Sequence, residues 1–125
     1  MKNLLIALTF LSSLNSFAGA NCKELLAQYT EEKNYHTDLI IDANRKIEYL
    51  AKKVDKNKLT IARIEESLNQ PDISHDKTRT LETIIDTYQT YNDMAPRKVL
   101  NYKQVVYDHA DELELLEDKV YSACN

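Results

Sequence analysis

Gln70-Pro71-Asp72-Ile73-Ser74-His75 is one of only two turn-like places in residues 21–125, and its position decides the fold. Proline lacks a backbone donor and clashes with the preceding helical turn, so a helix running into Pro71 must stop there. Ser74 or Asp72 can then accept from the free N–H groups of a helix that starts immediately afterwards. Ile73 is also the midpoint between Cys22 and Cys124, the two cysteines of the chain. Bridged cysteines need Cα atoms within about 7 Å, and an antiparallel pair of helices turning near Ile73 brings these two together at its open end.

The flanking sequence repeats with the period such a pair requires. Alternate steps of four and three from Cys22 land on Leu26, Tyr29, Lys33, His36, Ile40, Ala43, Ile47, Leu50, Val54, Asn57, Ile61, Ile64 and Leu68, of which only Lys33, His36 and Asn57 are polar. The same stepping beyond the turn gives Leu81, Ile85, Tyr88, Asn92, Ala95, Val99, Tyr102, Val106, His109, Leu113, Leu116, Val120 and Ala123, with only Asn92 and His109 polar. Both are heptad seams. The sequence therefore predicts an all-α fold: a long, coiled-coil-like antiparallel hairpin, with a first arm over about 22–69, a turn over about 70–75 and a second arm over about 76–123, closed by a Cys22–Cys124 disulfide. Asn21 followed by Glu24 resembles a capping box at the start of the first arm.

Pro96 sits inside the second arm and should kink or break it, or mark a joint between abutting helices. The alternative architecture is a compact three- or four-helix bundle. An unbroken first helix of about 46 residues extends ~70 Å, so an up-down-up arrangement would carry Cys124 far from Cys22. The compact form therefore needs a break in the first arm around Asp55-Lys56-Asn57-Lys58.

Composition places the chain in a compartment and removes whole classes of activity. The only glycine of the 125 residues is Gly19, and it lies in a segment with a secretory pattern. There Lys2 precedes an apolar run over Leu4–Leu14, and Ala18-Gly19-Ala20 has the small-x-small form of a cleavage site, which predicts cleavage between Ala20 and Asn21. Residues 21–125 then form one domain without glycine, which leaves poor material for phosphate-cradling loops, tight hairpins and Rossmann units. A lipid anchor on Cys22 would want a small residue before it and meets Asn21 instead. The apolar run of the leader is too short to span a membrane, and no later stretch is apolar enough. Without the leader the net charge is −5 and every aromatic residue is one of eight tyrosines. An acidic exported chain argues against nucleic acid as partner, and an even cysteine count fits the periplasm or the cell exterior.

Few residues carry recognisable chemistry. His36 and His109 occupy seam positions at nearly matched distances from the turn, so the hairpin places them within about one helical turn of each other, with Glu32, Asp108 and Glu112 nearby. Two imidazoles and carboxylates make a weak candidate metal site or a proton-sensitive layer. The plainer reading is a polar layer that sets helix register, as for Asn57 and Asn92. His75 reads as an exposed turn residue. Both cysteines are committed to the bridge, and no nucleophile elbow, zinc-protease helix, Cys-x-x-Cys pair or phosphate loop is present. No enzyme activity, cofactor or small-molecule ligand is expected.

The outer faces are more informative. Residues 45–63 hold seven basic and two acidic side chains, whereas residues 108–118 hold six acidic and no basic ones. In a hairpin these stretches do not face each other, which predicts a molecule acidic near the disulfide and basic toward its middle. Apolar side chains also spill beyond the seam, at Leu25, Leu39, Ile41 and Leu59 on the first arm and at Ile84, Leu100, Val105 and Leu115 on the second. Tyr35, Tyr107 and Tyr121 are the candidate partner-contact residues, expected close together near the acidic end, because tyrosine offers a large apolar ring with a polar tip. The expected function is non-enzymatic: binding of another protein, or of a second copy, through helix faces. The alternative is a metal-binding or pH-responsive periplasmic protein that uses His36 and His109.

Overall fold

The computed structural model describes residues 22–125, which form two α-helices, α1 (Cys22–Leu68) and α2 (His75–Cys124), and no strand. The expected leader, its cleavage site and Asn21 as a cap lie outside the described residues. Both helices are as continuous as their lack of glycine predicts. α1 runs unbroken through Asp55-Lys56-Asn57-Lys58, so the break that a compact three- or four-helix bundle requires is absent. α2 runs through Pro96 without a break. Pro96 is exposed, and its ring leaves the carbonyl of Asn92, one turn earlier, without an intrahelical donor.

The turn is built as its residues dictate. The N–H of Asn69 donates to the Glu65 carbonyl at 3.2 Å and that of Gln70 to the Ser67 carbonyl at 3.4 Å, and Pro71 then ends the pattern. At the start of α2 the Ser74 hydroxyl accepts from the Lys77 N–H at 3.3 Å, while the Ser74 carbonyl accepts from the Thr78 N–H at 3.0 Å. Ser74, not Asp72, is therefore the cap, and His75 is the first helical residue rather than part of the turn. None of the described residues has a positive φ, so the reversal needs no glycine.

The chain divides into two compact units, one built from residues 22–38 and 109–125 and the other from residues 39–108. In the first, which holds the disulfide, Cys22 bonds Cys124 with Cα atoms 5.4 Å apart, Tyr29 meets Glu117 and His36 meets His109. In the second, which holds the turn, Lys46 lies over the Tyr102 ring, Lys53 over that of Tyr91, and Asn57 meets Asn92. From Cys22–Cys124 to His36–His109 in the first unit, and from Lys46–Tyr102 to Asn57–Asn92 in the second, residue numbers rise on α1 and fall on α2, so each unit is an antiparallel helix pair.

The buried apolar side chains are Ala43, Leu50, Ile85 and Ala95 in the turn unit and Leu116 in the disulfide unit, all of them seam positions. None of the described large side chains is completely buried, because two helices enclose only a thin strip of interior. The seam departs from strict heptads at the disulfide end. Leu26 and Lys33 are exposed, whereas Leu25 and Glu32 are half-buried, so the buried face reads Cys22, Leu25, Tyr29, Glu32, His36, Ile40. Two consecutive steps of four at His36 are a stutter, which locally unwinds a left-handed supercoil. On α2 in the same unit, Ala123 is exposed and half-buried Cys124 holds the seam position.

Candidate functional site

The most distinctive polar cluster lies in the disulfide unit. His36 is 8% exposed and His109 half-buried, and their Nδ1 atoms are 2.8 Å apart in a hydrogen bond across the two helices. One imidazole must therefore carry its proton on Nδ1 and the other must accept there. Tyr35 covers the pair edge-on, its ring centroid 5.4 Å from that of His36 and 6.4 Å from that of His109. Burial pushes His36 below the usual imidazole range and the neighbouring His109 charge adds to the shift, whereas Glu112 and Glu32 partly oppose it. The neutral form of His36 is favoured as a result.

This geometry suits a hydrogen-bonded pair better than a metal. Two nitrogens on one tetrahedral zinc sit about 3.3 Å apart, from zinc–nitrogen bonds of ~2.0–2.1 Å, and the two Nδ1 atoms are closer than that. Among the described residues, no group of three His, Cys, Asp or Glu side chains is placed to hold a metal ion. Asp108, expected beside the histidines, accepts a hydrogen bond from Gln104 Nε2 at 2.7 Å.

Closer to the disulfide, the Tyr29 hydroxyl donates to Glu117 Oε1 at 2.8 Å, and that carboxylate raises the phenol's pKa above its ordinary value. Lys33 lies over the same ring, 5.5 Å from its centroid. Beside Tyr29 a shallow groove with a cavity volume of about 20 Å³ is lined by Leu25, Gln28, Glu32, Leu116, Lys119 and Val120, far below the ~300–1,000 Å³ usual for small-molecule sites. Sequence periodicity placed Tyr29 in the seam but stepped through exposed Lys33 where half-buried Glu32 lies on the seam, and nothing in it pointed to exposed Glu117. Stepping backward from His36 by four reaches Glu32.

The turn unit has its own polar layer. Asn57 is 4% exposed, and its Nδ2 donates to Oδ1 of half-buried Asn92 at 3.0 Å. A paired amide inside an apolar seam costs stability and penalises slipped registers, since a slip would strand both polar groups.

The three tyrosines singled out by the sequence are 55% (Tyr35), 62% (Tyr107) and 72% (Tyr121) exposed. Tyr35 and Tyr121 share the disulfide unit but do not converge. Tyr35 lies against His109, and Tyr121 follows His109 by twelve residues along α2, about 18 Å at 1.5 Å per residue. Tyr107 belongs to the turn unit. The units also differ in charge: the disulfide unit has nine acidic and three basic side chains among its described residues, the turn unit eleven acidic and twelve basic. No described helix is long and apolar enough to cross a membrane. No protein-family model, curated protein or solved structure matches the chain.

Proposed function

We propose that the protein is exported through its N-terminal leader to the periplasm or the cell exterior, where it binds another protein without catalysis. The observation that carries this reading is the distribution of apolar surface. Among the described residues, twelve large hydrophobic or tyrosine side chains are exposed against five buried apolar ones. Scattered apolar side chains are ordinary on a folded surface, but here they outnumber the buried apolar side chains. Antiparallel pairing in both units supports an overall hairpin, and scattering in solution should then report a particle about 70 Å long.

Immobilised protein should capture its partner from an envelope extract, and a Tyr35→Ala, Tyr107→Ala, Tyr121→Ala variant should lose that capture. Undiminished capture by the variant would refute the tyrosine assignment, and absence of any capture by the native chain would count against binding of a second protein.

A second reading, a pH-responsive protein, is supported by the His36–His109 hydrogen bond. One proton between two Nδ1 atoms holds the pair together, but protonating both places N–H against N–H inside the seam. The helical signal should then respond to pH between about 5 and 7 in the native chain and not in a His36→Leu, His109→Leu variant. A zinc titration that leaves the melting temperature unchanged would remove the metal-binding form of this idea.

A further inference from the structure

The outer face of each helix carries a second pattern that the core does not use. Arg45, Tyr49, Lys52, Lys56, Leu59 and Arg63 are all exposed and are spaced four, three, four, three, four along α1. Each follows a seam residue by two positions, which places it about 200° around the helix, facing directly away from α2. No acidic residue interrupts this stripe, and its apolar members Tyr49 and Leu59 are 61% and 64% exposed.

In the disulfide unit, α2 carries the complement. Asp111, Leu115 and Asp118 are exposed, follow the seam residues His109, Leu113 and Leu116 by two positions, and place an apolar side chain that is 60% exposed between two carboxylates. Among the described residues the ion pairs are Lys46–Asp42 and Lys52–Glu48, both within α1, so Lys56, Arg63, Asp111 and Asp118 have no ionic partner among those residues.

Resting on the protein-binding reading above, we propose that the partner is a second copy of this chain, whose acidic α2 stripe packs on the basic α1 stripe. Read in opposite directions, Lys56-Leu59-Arg63 and Asp118-Leu115-Asp111 have the same spacing of three and then four. Antiparallel packing of the two helices sets Leu59 against Leu115, with Lys56 opposite Asp118 and Arg63 opposite Asp111. Heptad spacing is the periodicity that side-by-side helices need in order to keep one face in contact. Opposite helix dipoles add to the fit. Each chain carries both stripes in different units, so the contact is heterologous and leaves one stripe of each kind free in a pair, and the charge pattern opposes alignment of like stripes.

Sedimentation of the oxidised full chain tests the proposal at ionic strengths of about 0.01 M and about 1 M, where the Debye length falls from ~30 to ~3 Å. The expected result is association at low salt, into dimers and longer assemblies, that loosens at high salt. A Lys56→Glu, Arg63→Glu variant and an Asp111→Lys, Asp118→Lys variant should each weaken the dimer about tenfold or more, and the combined quadruple variant should regain it. All four sites are exposed, and an unchanged helical spectrum establishes that the variants fold. A chain that is monomeric in both salts overturns the proposal, as does a dimer indifferent to both charge reversals or a quadruple variant that stays dissociated. Monomers that bind anionic vesicles through Lys56 and Arg63 would overturn it in favour of a membrane surface. A monomeric chain that still captures a different protein through Tyr35, Tyr107 and Tyr121 would remove the second copy while leaving the broader binding reading intact.

Discussion

The turn unit and the disulfide unit are held together by different physics. The turn unit contributes four of the five buried apolar side chains, Ala43, Leu50, Ile85 and Ala95, and its one buried polar group, Asn57, is paired with Asn92. The disulfide unit contributes Leu116 alone, and its seam passes through Tyr29, Glu32, His36 and His109. Where apolar packing is thin, a covalent bond and polar contacts substitute for it. Stability in the turn unit should therefore respond to cavities, and in the disulfide unit to redox state and pH.

The largest test of that contrast is removal of the bridge. A Cys22→Ser, Cys124→Ser variant should lose up to about 4.7 kcal/mol, the chain-entropy value for closing a loop of roughly 100 residues. Hydrogen exchange should show the loss of protection first in residues 22–38 and 109–125. Protection lost equally in both units would mean that the bridge stabilises the whole molecule and not its polar end.

Leu50→Ala should cost about 2–3 kcal/mol in denaturant unfolding, near the lower end for large-to-small core substitutions, because a two-helix seam can partly close over the gap. Leu50 is 6% exposed, so little of that loss can be avoided by solvation. Asn57→Ala should cost about 1–2 kcal/mol, since it leaves the half-buried amide of Asn92 without its partner. Replacing both asparagines with leucine should recover the stability and relax the register, read as broadened amide resonances.

The smallest effect is the response to acid. His36 has a folded-state pKa below its ordinary 6.5, so the folded chain binds fewer protons than the unfolded one as pH falls. Its stabilising contribution is complete above about pH 6.5 and is lost as pH drops through the lowered folded value. Melting temperature should fall over this range, and the slope should flatten in His36→Leu. An unchanged slope would assign the acid response to the carboxylates of the disulfide unit.

Much of the fold is legible in residue order because helix periodicity is a local property. A chain without glycine after residue 20, stepping by four and three on both sides of Pro71, can do little except form long helices that turn once. The layers at Asn57 and Asn92 and at His36 and His109 follow from the same count, because polar residues in opposed seams must meet or remain unpaired. The candidate contact surface was only partly legible. Composition exposed the opposite charges of residues 45–63 and 108–118, but Tyr121, expected beside Tyr35, lies about 18 Å along α2 from the His109 that Tyr35 covers, since exposed positions carry no periodicity that would force them to one level.

By itself, the sequence determined the two helices, the reversal at Gln70–Ser74 and the pairing of Cys22 with Cys124. Only the tertiary structure decided which side chains fill the seam at the disulfide end, where Leu25 and Glu32 displace Leu26 and Lys33 and Cys124 displaces Ala123. The reason is geometric. A bridge that holds two Cα atoms 5.4 Å apart sets how the helix ends meet, and the seam shifts phase through the stutter at His36 to satisfy it. The hydrogen bond from Tyr29 to Glu117 joins a seam position of α1 to an exposed residue of α2, a pairing across helices that no count along a single helix contains.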